Sequence, residues 1–396
     1  GYLKTERKYL SKYVDSSTIE KIQKFTVKYT DKEIEKATYQ AMESLIHNLN
    51  TMHSRAGAQV PFSSINYGLD TTPEGRLVMK QLLLATEAGL GNGETPIFPI
   101  QIFKVKEGIN YNEGDPNYDL FKLSCRVSAK RLFPNYSFID APFNLKYYRK
   151  GDYNTEVAYM GCRTRVMANV YDKEREITCG RGNLSFTSIN LPRLGIEAHG
   201  DVEKFFEMLD EKIDLVIDQL KFRFKIQANK RAYNYPFLMG QHVWLDSEKL
   251  KSTDKVGEVL KHGSLTVGFI GLAECLKALI GKHHGESEEA RELGLKIISH
   301  MRERMDEQSQ KDGLNFTLLA TPAEGLSGRF VKIDKKKYGI IEGVTDREYY
   351  TNSFHVPVYY KTSAFNKIKI EAPYHELTNG GHISYVELDG DVASNV

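Results

Sequence analysis

Two periods of apolar residues alternate along this chain. Ile34, Ala37, Ala41, Leu45, Leu49 and Met52 recur three or four apart, which predicts an amphipathic helix over 31–52 with Asp31 as its cap. Phe205, Phe206, Leu209, Ile213, Val216 and Leu220 predict a second helix over 202–224. A third is expected from Glu286 to about Gln310, through Leu293, Ile297, Met301 and Met305, with Gly313 as its stop signal. Between them lie short runs that read as strands: "QVPFSSINYG", "TPIFPIQIFKV", "NLSFTSINLP", "PFLMGQHVW", "LTVGFIG", "NFTLLAT", "SFHVPVYY" and "GHISYVEL". Strands alternating with helices imply parallel sheet covered by helices, and so many repetitions favour a large barrel or a wide open sheet.

One strand carries a polar stripe. By a period of two, Asn183, Ser185 and Thr187 share one face of 181–193, and Leu184 and Phe186 the other. Polar groups inside a helix-covered sheet need partners, so this face wants water or a ligand. A barrel with a lumen wide enough for a polar substrate meets that need.

Composition narrows the reading without deciding it. The 396 residues, 41% hydrophobic and 27% charged, suit two or three average domains or one large α/β barrel. A formal charge of +2 gives no general case for nucleic acid or a membrane surface as partner. The longest apolar run, "LTVGFIGLA" at 265–273, is too short to span a bilayer and is followed by Glu274. No leader pattern opens the sequence. Cysteines at 125, 162, 179 and 275 form no C-x-x-C, so no structural zinc site is expected and reduced thiols in the cytoplasm are. The sequence begins with Gly and breaks off at "LDGDVASNV", and is expected to be a piece of something longer.

Two segments carry candidate chemistry. Met160-Gly161-Cys162-Arg163 lies between "EVAYM" and "TRVMANVY", in a hairpin-like loop where Gly161 permits a tight turn. Cys162 reads either as a small buried hydrophobe, the commonest fate of a free cysteine, or as a reactive sulfur whose partners arrive through the fold. In "NFTLLATPAEGLSGRF", Thr321 suits an N-cap, Pro322 N1, and Glu324 N3 of a capping box. That is either a well-capped helix alone or an anion site made by its free N–H groups. Glu324 counts against phosphate unless it turns away or meets a sugar. Ser63 and Ser64 would line a lumen from a neighbouring strand, or serve structure only. His355 and His382 read as satisfied core histidines, His283-His284 as a solvated turn, and Cys125 and Cys275 as core packing. "GLGNGETP" at 89–96 precedes a strand and misses the dinucleotide spacing, so it reads as a turn.

"NTMHSRAGAQVPFSSINYGLDTTPEGR", "ATEAGLGNGETPIFPIQIFK", "YMGCRTRV", "GRGNLSFTSINLPR" and "ATPAEGLSGRF" closely resemble the anaerobic (class III) ribonucleoside-triphosphate reductases, in order and through nearly all of the chain. The resemblance implies a ten-stranded α/β barrel with a central finger loop, of the glycyl-radical enzyme and ribonucleotide reductase type, with 1–396 a catalytic barrel domain. It implies that Cys162, matching the cysteine of the finger loop, becomes a thiyl radical that takes the C3′ hydrogen of the ribose, after which the 2′-hydroxyl leaves as water. Asn183 matches the asparagine that holds the ribose hydroxyls. Met160, Ser64, Thr321, Ala323, Glu324 and Gly325 are implied at the substrate, with Thr321, Ala323 and Gly325 offering backbone groups to phosphate and Glu324 at the sugar end. The helical region 1–52 is implied at a dimer interface where nucleoside triphosphate effectors bind.

The resemblance also implies Mg2+ with the triphosphate, formate or a thiol protein as reductant, and a glycyl radical made by an S-adenosylmethionine/iron-sulfur activating enzyme. No Arg-Val-x-Gly-Tyr radical motif, paired C-x-x-C zinc ligands or regulatory ATP-cone occurs in this sequence, and the second active-site cysteine would lie upstream of it. The piece alone is therefore expected to bind nucleotide at best, without turnover. The alternatives are another glycyl-radical enzyme, such as a formate-lyase-like acyl transferase, and a catalytically silent nucleotide-binding module. The first would want adjacent cysteines, whereas Cys162 is flanked by Gly161 and Arg163.

Overall fold

The computed structural model describes residues 2–53 and 59–387, in two compact units that divide at Phe138 and Ile139. The first unit opens with α1 (Tyr2–Leu10) and α2 (Ser16–Thr51), the latter 36 residues long. α2 starts where Asp15 accepts hydrogen bonds from the N–H groups of Ser17 and Thr18, sixteen residues before the expected Asp31 cap. Residues 16–30 show little apolar periodicity, because the helix fully buries only Ile19 and Ile46. β1 (Ser64–Tyr67), α3 (Pro73–Ala88), β2 (Ile100–Val105), α4 (Tyr118–Arg131) and β3 (Asn135–Phe138) follow. The strands form a parallel sheet in the order β1-β2-β3. Met79, Leu83, Phe103, Val105, Leu120 and Val127 pack as its core. Residues 89–99 form the turn expected of "GLGNGETP" and lead into β2.

The second unit begins with α5 (Pro142–Leu145) and a two-residue hairpin, β4 (Tyr159–Met160) with β5 (Thr164–Arg165). Next come β6 (Asn183–Asn190), α6 (Leu191–Ala198), α7 (Val202–Ala228), α8 (Gly257–Leu260) and β7 (Ser264–Ile270). α9 (Leu272–Ile280), α10 (Glu288–Asp312), β8 (Asn315–Ala320), α11 (Glu324–Tyr338) and α12 (Ala364–Leu377) complete it. β6, β7 and β8 are parallel with β7 central, and every residue of β7 is buried. Leu265, Val267, Phe269, Phe316 and Leu318 turn one face of this sheet toward Leu209 and Ile213 of α7 and Met301 and Met305 of α10. The mixed α/β class expected from the sequence is therefore what the chain adopts, and among the described residues no helix is long and apolar enough to cross a membrane.

Three expected strands are not strands. Residues 236–244 form turns, because Met239 and Trp244 join Val256, Val259 and Leu260 in a small cluster that needs no sheet, and His242 and Asp246 take left-handed backbone at φ 54° and 65°. Residues 353–360 are broken at their first residue, where Ser353 has φ 43°. In 381–388 only Gly381 forms ladder bridges, to Thr164 and Leu319, and residue 388 lies outside the described residues.

Candidate active site

The hairpin β4–β5 presents Gly161, Cys162 and Arg163 at its tip. Gly161 sits at φ 68°, the left-handed backbone that glycine adopts without strain. Cys162 is half-buried and its thiol is free. Arg163 is 2% exposed, and its guanidinium donates to the carbonyls of Ala320 (3.4 Å) and Thr321 (3.3 Å) and to the Tyr385 hydroxyl (3.2 Å). The outgoing stem is held by Arg181. That side chain donates to the carbonyls of Met167, Ala168, Ile177 and His262, and burial pushes its pKa down to about 10.

Through Arg163 the tip reaches the carboxyl end of β8, the end at which parallel α/β sheets commonly place their ligands. The Tyr385 hydroxyl connects its members: burial raises its pKa, Arg163 opposes that rise, and Cys162 and Glu324 are near enough to add to it. Met160 places its sulfur 3.8 Å from where a Cβ on Gly182 would stand, so the hairpin stem abuts the residue before Asn183.

The polar face is real but composed differently from the expected period of two. The β6–β7 register shifts between Asn183 and Ser185, a bulge that gives Leu184 to the core and turns the strand over. Asn183 donates to Ser264 Oγ (3.1 Å) and Thr266 Oγ1, and Thr266 meets Thr317 hydroxyl to hydroxyl at 2.7 Å. Ser185 and Thr187 instead face α7, where Arg223 donates to both. Ser188 takes the vacated place and bonds Thr321 Oγ1 at 2.8 Å. Gly268 makes that pairing possible, since a Cβ there would overlap Thr321 Oγ1 and stand 2.8 Å from Ser188 Oγ.

That engagement overturns the capping box. Thr321 is 1% exposed with its hydroxyl on Ser188, so α11 starts at Glu324 with Ala323 as an N-cap that makes no side-chain bond. Ala323 is buried, Glu324 is exposed, and a Cβ on Gly325 would meet nothing within 4 Å. Ser64 begins β1 in the first unit, paired with Ile100.

His283 and His284 depart from expectation, whereas His355 and His382 lie in the core as expected. His283 and His284 are buried at 1% and 0% exposure, the first edge-on to Tyr360 and the second bonded to the Phe354 carbonyl at 2.7 Å, so they are not a solvated turn. His355 Nδ1 lies 3.3 Å from Glu371 Oε2, while its Nε2 is buried without a partner. Burial lowers the pKa of His355 and of His382, whose Nδ1 bonds Thr378. Cys275 is core, as expected, Cys125 is half-buried and Cys179 is exposed. Among the described residues no group of three or more His, Cys, Asp or Glu is placed to hold a metal ion.

Residues 6–396 match the family model of the anaerobic ribonucleoside-triphosphate reductases. The chain belongs to that family. The reductase of Salmonella typhimurium is 37% identical over 363 residues, which are 91% of this chain and 50% of that protein. The reductase of Escherichia coli is 36% identical over the same shares, and that of Enterobacteria phage T4 is 35% identical over 93% of this chain and 59% of its own length. The chain thus spans about half the length of the bacterial members it matches. In fold it is similar to the anaerobic ribonucleotide reductase of Thermotoga maritima. The crystal structure with dATP in the specificity site superposes with TM-score 0.64 at 16% identity, over 92% of this chain and 59% of that one. The complex with dATP and CTP superposes with TM-score 0.63 over the same shares.

Arg163, Thr266, Ser188 and Tyr385 join the site without having been singled out from sequence. For Arg163 the signal was its place next to Cys162 in the "YMGCRTRV" string. For the others the partners lie too far along the chain to be inferred from spacing.

Proposed function

We propose that this chain is the catalytic part of a longer reductase that converts ribonucleoside triphosphates to 2′-deoxyribonucleoside triphosphates under anaerobic conditions. Family membership supports the reaction class, and one structural observation supports the chemistry. A free, half-buried thiol stands on a hairpin pinned to the carboxyl end of β8, in a sheet with a polar face lined by Asn183, Thr266, Ser188 and Thr321.

In this reading Cys162 is the sulfur that exchanges hydrogen with the ribose C3′, and loss of water from C2′ follows. Fixed positioning and exclusion of solvent are what such a radical step demands of a protein. Asn183, held by Ser264 and Thr266, presents its amide oxygen to the ribose hydroxyls. Met160 closes the site beside Gly182. Ala323 and Gly325 at the start of α11, with the backbone of Thr321, receive the triphosphate, which carries Mg2+, and Glu324 stands at the sugar end. Cys162 and Asn183 line the substrate site of the ten-stranded barrel that membership of this family implies. Strands alternating with helices in both units support that architecture.

The radical initiator in this reading is a glycyl radical, installed by an S-adenosylmethionine-dependent activating enzyme, with formate or a thiol protein as reductant. What this chain's own residues do is hold the thiol, orient the sugar and keep water out. α1 and α2 form a homodimer contact near an effector site, a reading supported by the exposure of Phe25, Val27, Tyr29 and Ile34 on α2. Four free thiols fit the reducing cytoplasm.

Alkylation of Cys162 in this chain tests the site directly. Millimolar CTP or ATP with Mg2+ is expected to slow modification of Cys162 at least fivefold while leaving exposed Cys179 unchanged. Equal rates with and without every nucleoside triphosphate would refute the placement.

A further inference from the structure

The hairpin carrying Cys162 has two residues in each strand, far too little to hold a loop tip still by its own ladder. Its position is set from elsewhere. Residues 379–381 run between β5 and the edge of β8 and bond to both. Arg165 N–H donates to the Gly380 carbonyl (3.0 Å), Gly380 N–H to the Leu318 carbonyl (2.8 Å) and Ala320 N–H to the Gly381 carbonyl (3.0 Å). Asn379 Oδ1 accepts from Leu318 N–H at 3.0 Å. Gly381 has φ 129°, and a Cβ there would overlap the Arg163 carbonyl oxygen, so the tip descends to a depth that only glycine allows.

Beyond the latch the same segment passes by the tip. Ser384 Oγ bonds His375 Nε2 at 3.0 Å, and the Tyr385 ring lies 5.8 Å from both the Arg163 guanidinium and the His355 ring. Arg163 is a buried cation with no carboxylate partner among the described residues. Its acceptors are two carbonyls at the end of β8 and one phenol, and its Nε is left without one. A buried charge is retained at such cost where geometry, more than stability, is being specified.

We infer that the Asn379–Tyr385 segment is a latch that fixes the depth of the finger, with Gly381 as its stop and Arg163 as the positioning residue that ties the tip to the β8–α11 junction. Displacing either leaves Cys162 chemically intact and moves it out of register with Asn183. The catalytic consequence rests on the reading of Cys162 given above. The positional claim does not.

Two measurements keep these apart. In this chain, the rate of Cys162 alkylation, normalised to Cys179, is expected to rise at least tenfold in Gly381→Ala and Arg163→Met. Arg163→Lys, which keeps the charge but reaches fewer acceptors, is expected to fall between. In the full-length reductase the same variants should lower kcat for deoxynucleotide formation about 10²-fold, the cost expected for a misplacement of about 1 Å, with KM within twofold of the parent. A merely structural defect would move the urea midpoint and KM as well. If Gly381→Ala does not fold, Arg163→Met and Arg163→Lys decide. Cys162 rates within twofold of the parent in the folded variants would overturn the latch. A rise in alkylation without loss of turnover would leave the latch standing and remove Cys162 from catalysis.

Discussion

Replacing Gly268 by alanine puts a methyl group into the one gap through which Ser188 and Thr321 meet. The new Cβ would overlap Thr321 Oγ1 and stand 2.8 Å from Ser188 Oγ. Thr321 is buried and cannot swing to solvent. Overpacking of this kind costs about 1–3 kcal/mol. Loss of the 2.8 Å hydroxyl pair adds about 1 kcal/mol, so the single variant should lose about 2–4 kcal/mol. Thr321→Ala alone should lose about 1–2 kcal/mol through the broken bond and the small void. With Oγ1 gone the overlap with residue 321 goes too, its nearest remaining atom being Cβ at 3.4 Å, and the Ser188 hydroxyl 2.8 Å away, no longer tied to Thr321, is left to rotate aside. The double variant should therefore cost about as much as Thr321→Ala, a coupling of at least about 1 kcal/mol. Trp244 is the sole tryptophan, is 7% exposed and lies in the second unit, so its fluorescence during urea unfolding reports on that unit. Additivity within about 0.5 kcal/mol would show that residues 268 and 321 do not share that space, and would undo the description of the polar face.

Other outcomes follow from burial and charge. His284 and His375 have pKa values pushed down to about 4 by burial, against 6.5 in an unfolded chain. Unfolding therefore takes up about one to two protons in this window, and stability of the second unit should fall by about 2 kcal/mol per pH unit as pH drops from 6.5 toward 4. Glu371, held near 2 with His355 and Lys367 beside it, loses its contribution only at lower pH. A flat Trp244-monitored stability between pH 7 and 5 would contradict the burial of these rings. Native alkylation mapped by mass spectrometry should modify exposed Cys179 first, then half-buried Cys162 and Cys125. Cys275, whose burial raises its pKa, should react only on unfolding. Modification of Cys275 before Cys162 would be incompatible with the packing of α9.

The long helices were legible because each repeats one period over many residues, as Phe205 to Leu220 do, and the buried strands β7 and β8 because each is a short apolar run. "PFLMGQHVW" and "SFHVPVYY" have strand-like composition, yet side-chain clusters and left-handed residues such as Ser353 decide their backbone. The bulge after Asn183 could not be read either. A period-two rule assigns Ser185 to the face of Asn183, and only the pairing with Ser264 and Leu265 reveals the turnover. Cys162, Asn183 and the Thr321–Gly325 turn came from resemblance to a family, and the structure sets Arg163, the neighbour of Cys162, against the Thr321 carbonyl and the Tyr385 hydroxyl. The contacts that hold the finger, Gly381 against Arg163 and Arg163 on Tyr385, join residues more than 200 apart. No local pattern encodes such pairs.

One sulfur, that of Cys162, carries the chemistry proposed for this chain. Full-length reductase carrying Cys162→Ser, activated anaerobically and supplied with ribonucleoside triphosphate, should form no deoxynucleotide while keeping its affinity for the substrate. Deoxynucleotide formation by that variant at a rate near the parent's would contradict the central claim.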